Sequence, residues 1–269
     1  MDLKILSWNV EHFKGKPARL KRIAKFIEDE NPDVFGLIEV EGKTVFREFT
    51  SRFPNYSFTI TEGRQTQEIM IGWRHGVSAF MTQRNEFRRS NPNLRPGALL
   101  TVSTGATKPV TMLFTHLKSG PTPEGYGLRD AMFIKIKDLK KALDKAVGSN
   151  AKFIVLGDLN TMGMNLTFSK KDQTGPEEIK RLKDVLKSRK LFHKTPTHDA
   201  TWSNGSKSSY DPAELDHVFA TDNMTFQDMG GGAQIRVGGW PEESTIAKQD
   251  KWIRDFSDHA PMIFKLLDV

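Results

Sequence analysis

The chain has 269 residues, no cysteine, and 40 Lys+Arg against 33 Asp+Glu. A hydrophobic fraction of 37% with 27% charged residues is ordinary globular composition, which excludes a disordered chain, a collagen and a disulfide-stapled mini-protein. Without cysteine there is no thiolate zinc site, no cysteine nucleophile and no disulfide. No apolar stretch approaches the ~18–20 residues of a membrane helix, and Met1-Asp2-Leu3-Lys4 runs straight into a strand-like segment rather than a secretory leader. The expectation is a cytoplasmic protein with a single domain over residues 1–269. The positive excess lies in residues 1–150, with 24 basic and 16 acidic side chains. It favours a polyanionic partner: nucleic acid, anionic lipid or a phosphorylated small molecule.

In chain order, Ile5 to Trp8 reads as a buried strand. Pro17 to Glu30 reads as a helix, with Pro in its first turn, Leu20, Ile23, Ala24 and Ile27 on one face, and the Asn31-Pro32 turn signal after it. Val34 to Ile38 is a second buried strand, and Phe58 to Ile60, Ile69 to Trp73, Leu99 to Val102 and Val110 to Phe114 are further strands. Leu128 to Val147 predicts a helix with Ala131, Met132, Leu139, Ala142, Leu143 and Ala146 inward, stopped by Gly148. Phe153 to Leu156 is a strand, Glu177 to Lys190 a third helix behind Gly175-Pro176, and Leu215 to Ala220 and Met262 to Leu266 the last strands. Many strands follow one another without a helix between, so the sheets should be mixed. Gly230-Gly231-Gly232 and Gly238-Gly239 mark a surface loop ending at Trp240.

The chemistry sits at the ends of these apolar runs. The first strand leads to Asn9 and Glu11, the second to Glu39, and Met112-Leu113-Phe114-Thr115 to His116. Phe153 to Leu156 leads through Gly157 to Asp158 and Asn160. Asp216 follows Leu215, and Asp258 and His259 precede the last strand. Strand ends that share one rim of a sheet bring such groups together. Carboxylates, Asn and His without thiols suit Mg²⁺, with Mn²⁺ as substitute, and phosphoryl chemistry.

Trp8-Asn9-Val10-Glu11, Glu39, Thr115-His116-Leu117-Lys118-Ser119, Gly157-Asp158-Leu159-Asn160, Leu215-Asp216-His217 and Ser257-Asp258-His259-Ala260-Pro261 together resemble the ordered motifs of the endonuclease/exonuclease/phosphatase superfamily. That group includes deoxyribonuclease-like and exonuclease III-like enzymes, neutral sphingomyelinases and inositol polyphosphate 5-phosphatases. The resemblance implies an α/β four-layer sandwich, two packed mixed β-sheets flanked by helices, with the active site at one rim. It also implies roles. Glu39 would be the principal Mg²⁺ ligand, with Glu11 and Asp258 in the metal or polar shell. Asn9 and Asn160 would orient phosphate and water, and Asp158 would be the general base. His259 would bind the scissile phosphate, held charged by Asp216, and His116 would assist the leaving group or phosphate. Arg129 would either meet phosphate or be a solvated helix residue.

The expected activity is divalent-metal-dependent hydrolysis of nucleic acid, most naturally as a DNA endonuclease or exonuclease. Arg84 to Pro96 is the reason, with Arg84, Arg88, Arg89 and Arg95 clustered around Phe87 and several Asn. Trp240 would stack on a base or pack its loop onto the body. The alternative is a phosphoesterase for a phospholipid headgroup or small phosphorylated molecule. A binding scaffold without catalysis has no need of the full polar set.

Overall fold

The computed structural model describes residues 1–64, 67–88, 91, 93–103, 105, 108–168 and 171–269. Among them, thirteen strands and five helices follow the chain as β1 (Leu3–Phe13), α1 (Pro17–Glu30), β2 (Val34–Val40), α2 (Lys43–Arg52), β3 (Tyr56–Ile60), β4 (Glu68–Arg74), β5 (Ser78–Arg84), β6 (Gly97–Ser103), β7 (Val110–His116), α3 (Pro123–Val147), β8 (Lys152–Asp158), α4 (Gly175–Lys187), β9 (Leu191–His193), β10 (Asp216–Thr221), β11 (Thr225–Phe226), β12 (Arg236–Val237), α5 (Ile246–Asp255) and β13 (Met262–Leu267). A seven-stranded sheet runs β11-β13-β1-β2-β4-β3, with β12 beside β13, and a six-stranded sheet runs β5-β6-β7-β8-β10-β9. Each has a parallel pair at its centre, β1 with β2 and β7 with β8, and antiparallel neighbours outside it. The sheets are therefore mixed, as the sparse helices predict.

Strand alternation divides the core into three apolar layers. Leu3 and Ile5 of β1, Val34 and Ile38 of β2, Met112 and Phe114 of β7, Ile154 and Leu156 of β8 and Val218 of β10 fill the space between the sheets. Leu6, Trp8, Phe35 and Leu37 point the other way, onto α1, α2 and α5. Leu113, Phe153, Val155 and Phe219 point onto α3 and α4. Helices outside, two sheets inside: this is the four-layer sandwich. Gly36 makes one close approach possible, because a Cβ there would stand 2.3 Å from the Phe114 ring.

The helix ends follow their caps. Pro17 opens α1 and Asn31 closes it in the left-handed region. The third predicted helix begins earlier, at Gly175, behind a Thr174–Glu177 capping box, and stops at Lys187 rather than Lys190. Thr122 caps α3 by accepting from the Gly125 N–H, so this helix starts five residues before the predicted Leu128, while Gly148 ends it as expected. Ala142 and Ala146 are exposed rather than inward; the buried stripe runs through Arg129, Met132, Phe133, Ile136, Leu139 and Lys140. No helix among the described residues is long and apolar enough to cross a membrane.

Candidate active site

The layer between the sheets is apolar along most of its length and turns polar at one rim. Continuing the alternation of β1 beyond Leu3 and Ile5 gives Asn9; beyond Met112 and Phe114 it gives His116. Beyond Ile154 and Leu156 it gives Asp158, and on β10 Asp216 precedes Val218 on the same face. Asp216 and Asp158 face each other in the antiparallel register, and His116 pairs with Asp158 in the parallel one. Glu39 departs from alternation. It has φ 66°, and the β2–β4 register shifts between Ile38 and Val40. The end of β1 is irregular too, with Glu11 and His12 both at φ 43°. These irregularities turn Glu39 toward the rim.

The side chains converge. Asn9 Nδ2 donates to Glu39 Oε1 at 3.2 Å and to Asp158 Oδ2 at 3.0 Å. His116 Nε2 lies 3.5 Å from Glu39 Oε1 and 3.6 Å from Asp158 Oδ2. His259 Nδ1 meets Asp216 Oδ2 at 2.7 Å, and its Nε2 faces Asp158 at 3.9 Å. The Asn160 N–H donates to Asp158 Oδ1 at 2.9 Å, and its side-chain amide donates to Leu117 O at 3.2 Å. The loop before β13 is pinned by Trp8 Nε1 donating to His259 O and by Ser257 Oγ donating to Asn9 O, each at 2.8 Å.

Burial sets the charges. Asp158 is pushed up to about 7, mainly by desolvation and then by Asp216 and Glu39, while His259 and Asn9 pull it down. Desolvation also weighs most on His259, but Asp216, Asp158 and Asp258 outweigh it and lift the imidazole to about 10. His116 goes the other way, well below its usual range, through burial and then Arg95 and His259. The rim thus holds a charged His259, a neutral His116 and a carboxylate that crowded acids make reluctant to ionise. Glu39, His116 and Asp158 offer three ligand atoms at metal-holding spacing, as do Asp158, Asp216 and His259. Crowded carboxylates plus an imidazole fit a divalent cation, whose charge would relieve the repulsion on Asp158.

Glu11 and Asp258 stand beside this centre, outside both groups of three. The Glu11 carboxyl is raised by burial and by Asp258, against the pull of Arg19, and Asp258 Oδ2 accepts from Trp202 Nε1 at 2.8 Å. Arg95 is half-buried. Burial pushes its pKa down while Glu39, Asp158 and Glu68 hold it up, and its Nε has no acceptor among the described residues. Arg88 donates to Glu62 O at 2.6 Å. Arg89 lies outside the described residues.

One expectation is corrected, and one open between two readings is decided. Arg129 is fully buried and is neither solvated nor free for phosphate. Its guanidinium donates to both oxygens of Glu178 and to the carbonyls of Lys118, Gly120 and Gly163, which uses all five N–H groups. It ties the loops after β7 and β8 to α4. Trp240 is buried too, edge-on to His198 at 5.5 Å, and packs its loop onto the body instead of offering a face to a base.

Sequence reasoning missed several supports. Gln67 Nε2 and the His12 N–H each donate to Glu39 Oε2 at 2.9 Å. Arg19 on α1 donates to Glu11 O, Val10 O and Phe256 O and so clamps the irregular end of β1. Thr201 Oγ1 accepts from the Asp216 N–H at 2.9 Å. None of these carries a local motif, since each acts across a sheet edge or between distant loops.

The family described as Endonuclease/Exonuclease/phosphatase matches residues 6–259. No curated protein matches the sequence. Among solved structures, truncated Caenorhabditis elegans TDP2 superposes with a TM-score of 0.69 at 18% identity, covering 99% of this chain and 98% of that one. D. rerio TDP2, solved with single-strand DNA product, superposes at 0.67 and 15% identity, covering 99% of each chain. An endonuclease/exonuclease/phosphatase protein from Bacteroides vulgatus superposes at 0.62 and 14% identity, again over 99% of each. At such identities the likeness is one of fold, and with the family match it leads to one conclusion: the chain belongs to the endonuclease/exonuclease/phosphatase family, whose members are phosphoester hydrolases.

Proposed function

We propose that the protein is a divalent-cation-dependent phosphodiesterase that hydrolyses nucleic acid, with DNA as the first candidate. The observation that carries this reading is the convergence of Asn9, Glu39, His116, Asp158, Asp216 and His259 at one rim. Glu39 would hold Mg²⁺ or Mn²⁺, with His116, Glu11 and Asp258 close by and Asp158 left free to act as base. The cation would neutralise charge on the phosphoryl oxygens.

Asp158 Oδ2, buried and titrating at about 7, is poised to take the proton of an attacking water at neutral pH. The His259 imidazolium and the second amide N–H of Asn160 would donate to the oxygens that gain charge as the water adds, while Asn9 holds Glu39 and Asp158 in place. Asp216 keeps His259 charged and oriented. Losing one preorganised donor typically costs about 10²–10³ in rate. His116, held neutral, can orient a ligand or donate one hydrogen bond but is a poor proton source. As the ester P–O bond breaks, the leaving oxygen would therefore depart as an oxyanion that takes its proton from solvent, its charge offset by the cation when bound.

The basic half of the chain and Arg95, half-buried and interacting electrostatically with Glu39 and Asp158, support a polyanionic substrate. The D. rerio TDP2 structure with single-strand DNA product makes DNA the natural first choice. The test is a panel of supercoiled plasmid, single-stranded oligonucleotide, abasic duplex, RNA, sphingomyelin and inositol phosphates with Mg²⁺ or Mn²⁺. Hydrolysis of a nucleic acid that stops with EDTA and with Glu39→Gln supports the reading. Turnover confined to sphingomyelin or inositol phosphates would replace it with the headgroup alternative, and EDTA-resistant turnover would remove the cation.

A further inference from the structure

His193, Glu214 and His217 form a second cluster of ligand-type side chains, on the opposite face of β10 from Asp216. His193 Nε2 lies 3.2 Å from His217 Nδ1 and 3.3 Å from Glu214 Oε1, and His217 Nδ1 lies 3.5 Å from the same oxygen. Strand pairing produces this approach. His193 of β9 pairs with Phe219 of β10, two residues from His217 on one face. The two imidazole rings stand 5.3 Å apart and both pack on Phe219.

Thr161 sets the tautomer of His217. Its hydroxyl donates to Glu214 O and meets His217 Nε2, both at 2.8 Å. One hydroxyl has one proton, so Nε2 carries the hydrogen, and in the neutral ring Nδ1 presents its lone pair to the cluster. No arrangement of protons then satisfies all three edges, because a single hydrogen on His193 Nε2 cannot point fully at both neighbours. Charge-assisted N–H···O contacts close to about 2.7–2.9 Å, whereas these contacts stay several tenths of an ångström wider. A tetrahedral ion with arms of about 2.0–2.1 Å has edges of about 3.3–3.4 Å, the spacing of zinc with nitrogen and oxygen ligands. The side chain of Glu214 is one-fifth exposed, and the residue lines a groove of about 1060 Å³ that also touches Thr161, Trp202 and Tyr210. The cluster therefore meets solvent on its Glu214 side, with the His217 side chain fully buried behind it.

We infer that His193, Glu214 and His217 bind a zinc-class divalent cation, separate from the cation at the catalytic rim. Two imidazoles and one carboxylate select such an ion over Mg²⁺. The ion would act as a brace, because His217 follows Asp216, and Thr161, which orients His217, follows Asn160. Binding would tie β9, β10 and the loop after β8 into one unit.

The test is anomalous diffraction at the zinc edge from the full-length protein crystallised with one equivalent of Zn²⁺ in excess Mg²⁺. Isothermal titration of Zn²⁺ in the same Mg²⁺ buffer accompanies it. The expected result is an anomalous peak about 2.0–2.2 Å from His193 Nε2, His217 Nδ1 and a Glu214 oxygen. Affinity should fall at least about 100-fold in His193→Gln, the upper end of what losing even an outer partner of a zinc ligand costs. Zinc found only between Glu39 and Asp158, or no peak at all, would overturn the inference, as would wild-type affinity in a folded His193→Gln. The wild-type map decides the matter alone should that variant not fold, and Glu214→Gln, altered at the groove surface, repeats the titration.

Discussion

Replacing Asp216 with Asn should remove the positive charge from His259 at neutral pH. Burial, the largest single influence, pushes His259 down, yet Asp216, Asp158 and Asp258 together lift it from 6.5 to about 10. That difference is roughly 5 kcal/mol of preference for the imidazolium, at about 1.4 kcal/mol per pH unit. Asp216 leads the upward causes and contacts Nδ1 at 2.7 Å. Asparagine keeps the shape and can still accept at Nδ1, but it brings no charge, so desolvation dominates and His259 should titrate near or below its ordinary 6.5. The assay is a heteronuclear NMR titration of the imidazole in cation-free protein, beside kcat/KM against pH. The native state holds this proton more tightly than the unfolded chain does. The stabilisation is therefore fully present below pH 6.5 and is lost as pH rises through about 10. Wild type should lose stability across that window, and Asp216→Asn should lack the slope. A folded Asp216→Asn whose His259 stays charged well into the alkaline range would refute the reasoning.

Gln67→Ala removes a donor that orients Glu39, so the Mn²⁺ requirement should rise about 10–100-fold, with kcat recovered at saturating metal; an unchanged metal titration would exclude the role. Arg129→Lys keeps a charge but cannot reach all the acceptors now served. Each buried acceptor left unpaired typically costs about 1–3 kcal/mol, read as a lower Tm; a raised KM with an unchanged Tm would instead return Arg129 to the substrate. Gly36→Ala drives a methyl group to 2.3 Å from the Phe114 ring and should cost about 1–3 kcal/mol in urea unfolding. Wild-type stability would mean that the sheets yield there.

The fold was legible where local chemistry and packing agree. The helix α1 carries its start in Pro17, its stop in Asn31-Pro32 and its buried face in Leu20, Ile23, Ala24 and Ile27. By contrast α2 buries only Val45 and Phe49, and α5 only Trp252, so each presents a stripe too short to stand out from its neighbours. Gly125 and Gly127 in the first turns of α3 hide a start that the Thr122 cap decides. β5 escaped because its exposed positions form an edge, with no buried run. At the site, Asn9, His116, Asp158 and Asp216 could be read as polar groups ending apolar strands. The aim of Glu39 could not, since it depends on a positive φ and a register shift. Arg129 misled because its acceptors come from two loops and α4, and burial of this kind leaves no trace in the flanking residues.

The rim is made in two halves. Asn9 and Glu39 belong to one sheet, His116, Asp158 and Asp216 to the other, and His259 arrives on the loop leading into β13. Between the halves, the ring of Phe114 occupies the notch left by Gly36, two residues before His116 and three before Glu39. Catalytic geometry is thus a caliper reading of how the two sheets are mated: a slip along that seam would silence the enzyme while both sheets kept every ladder bond.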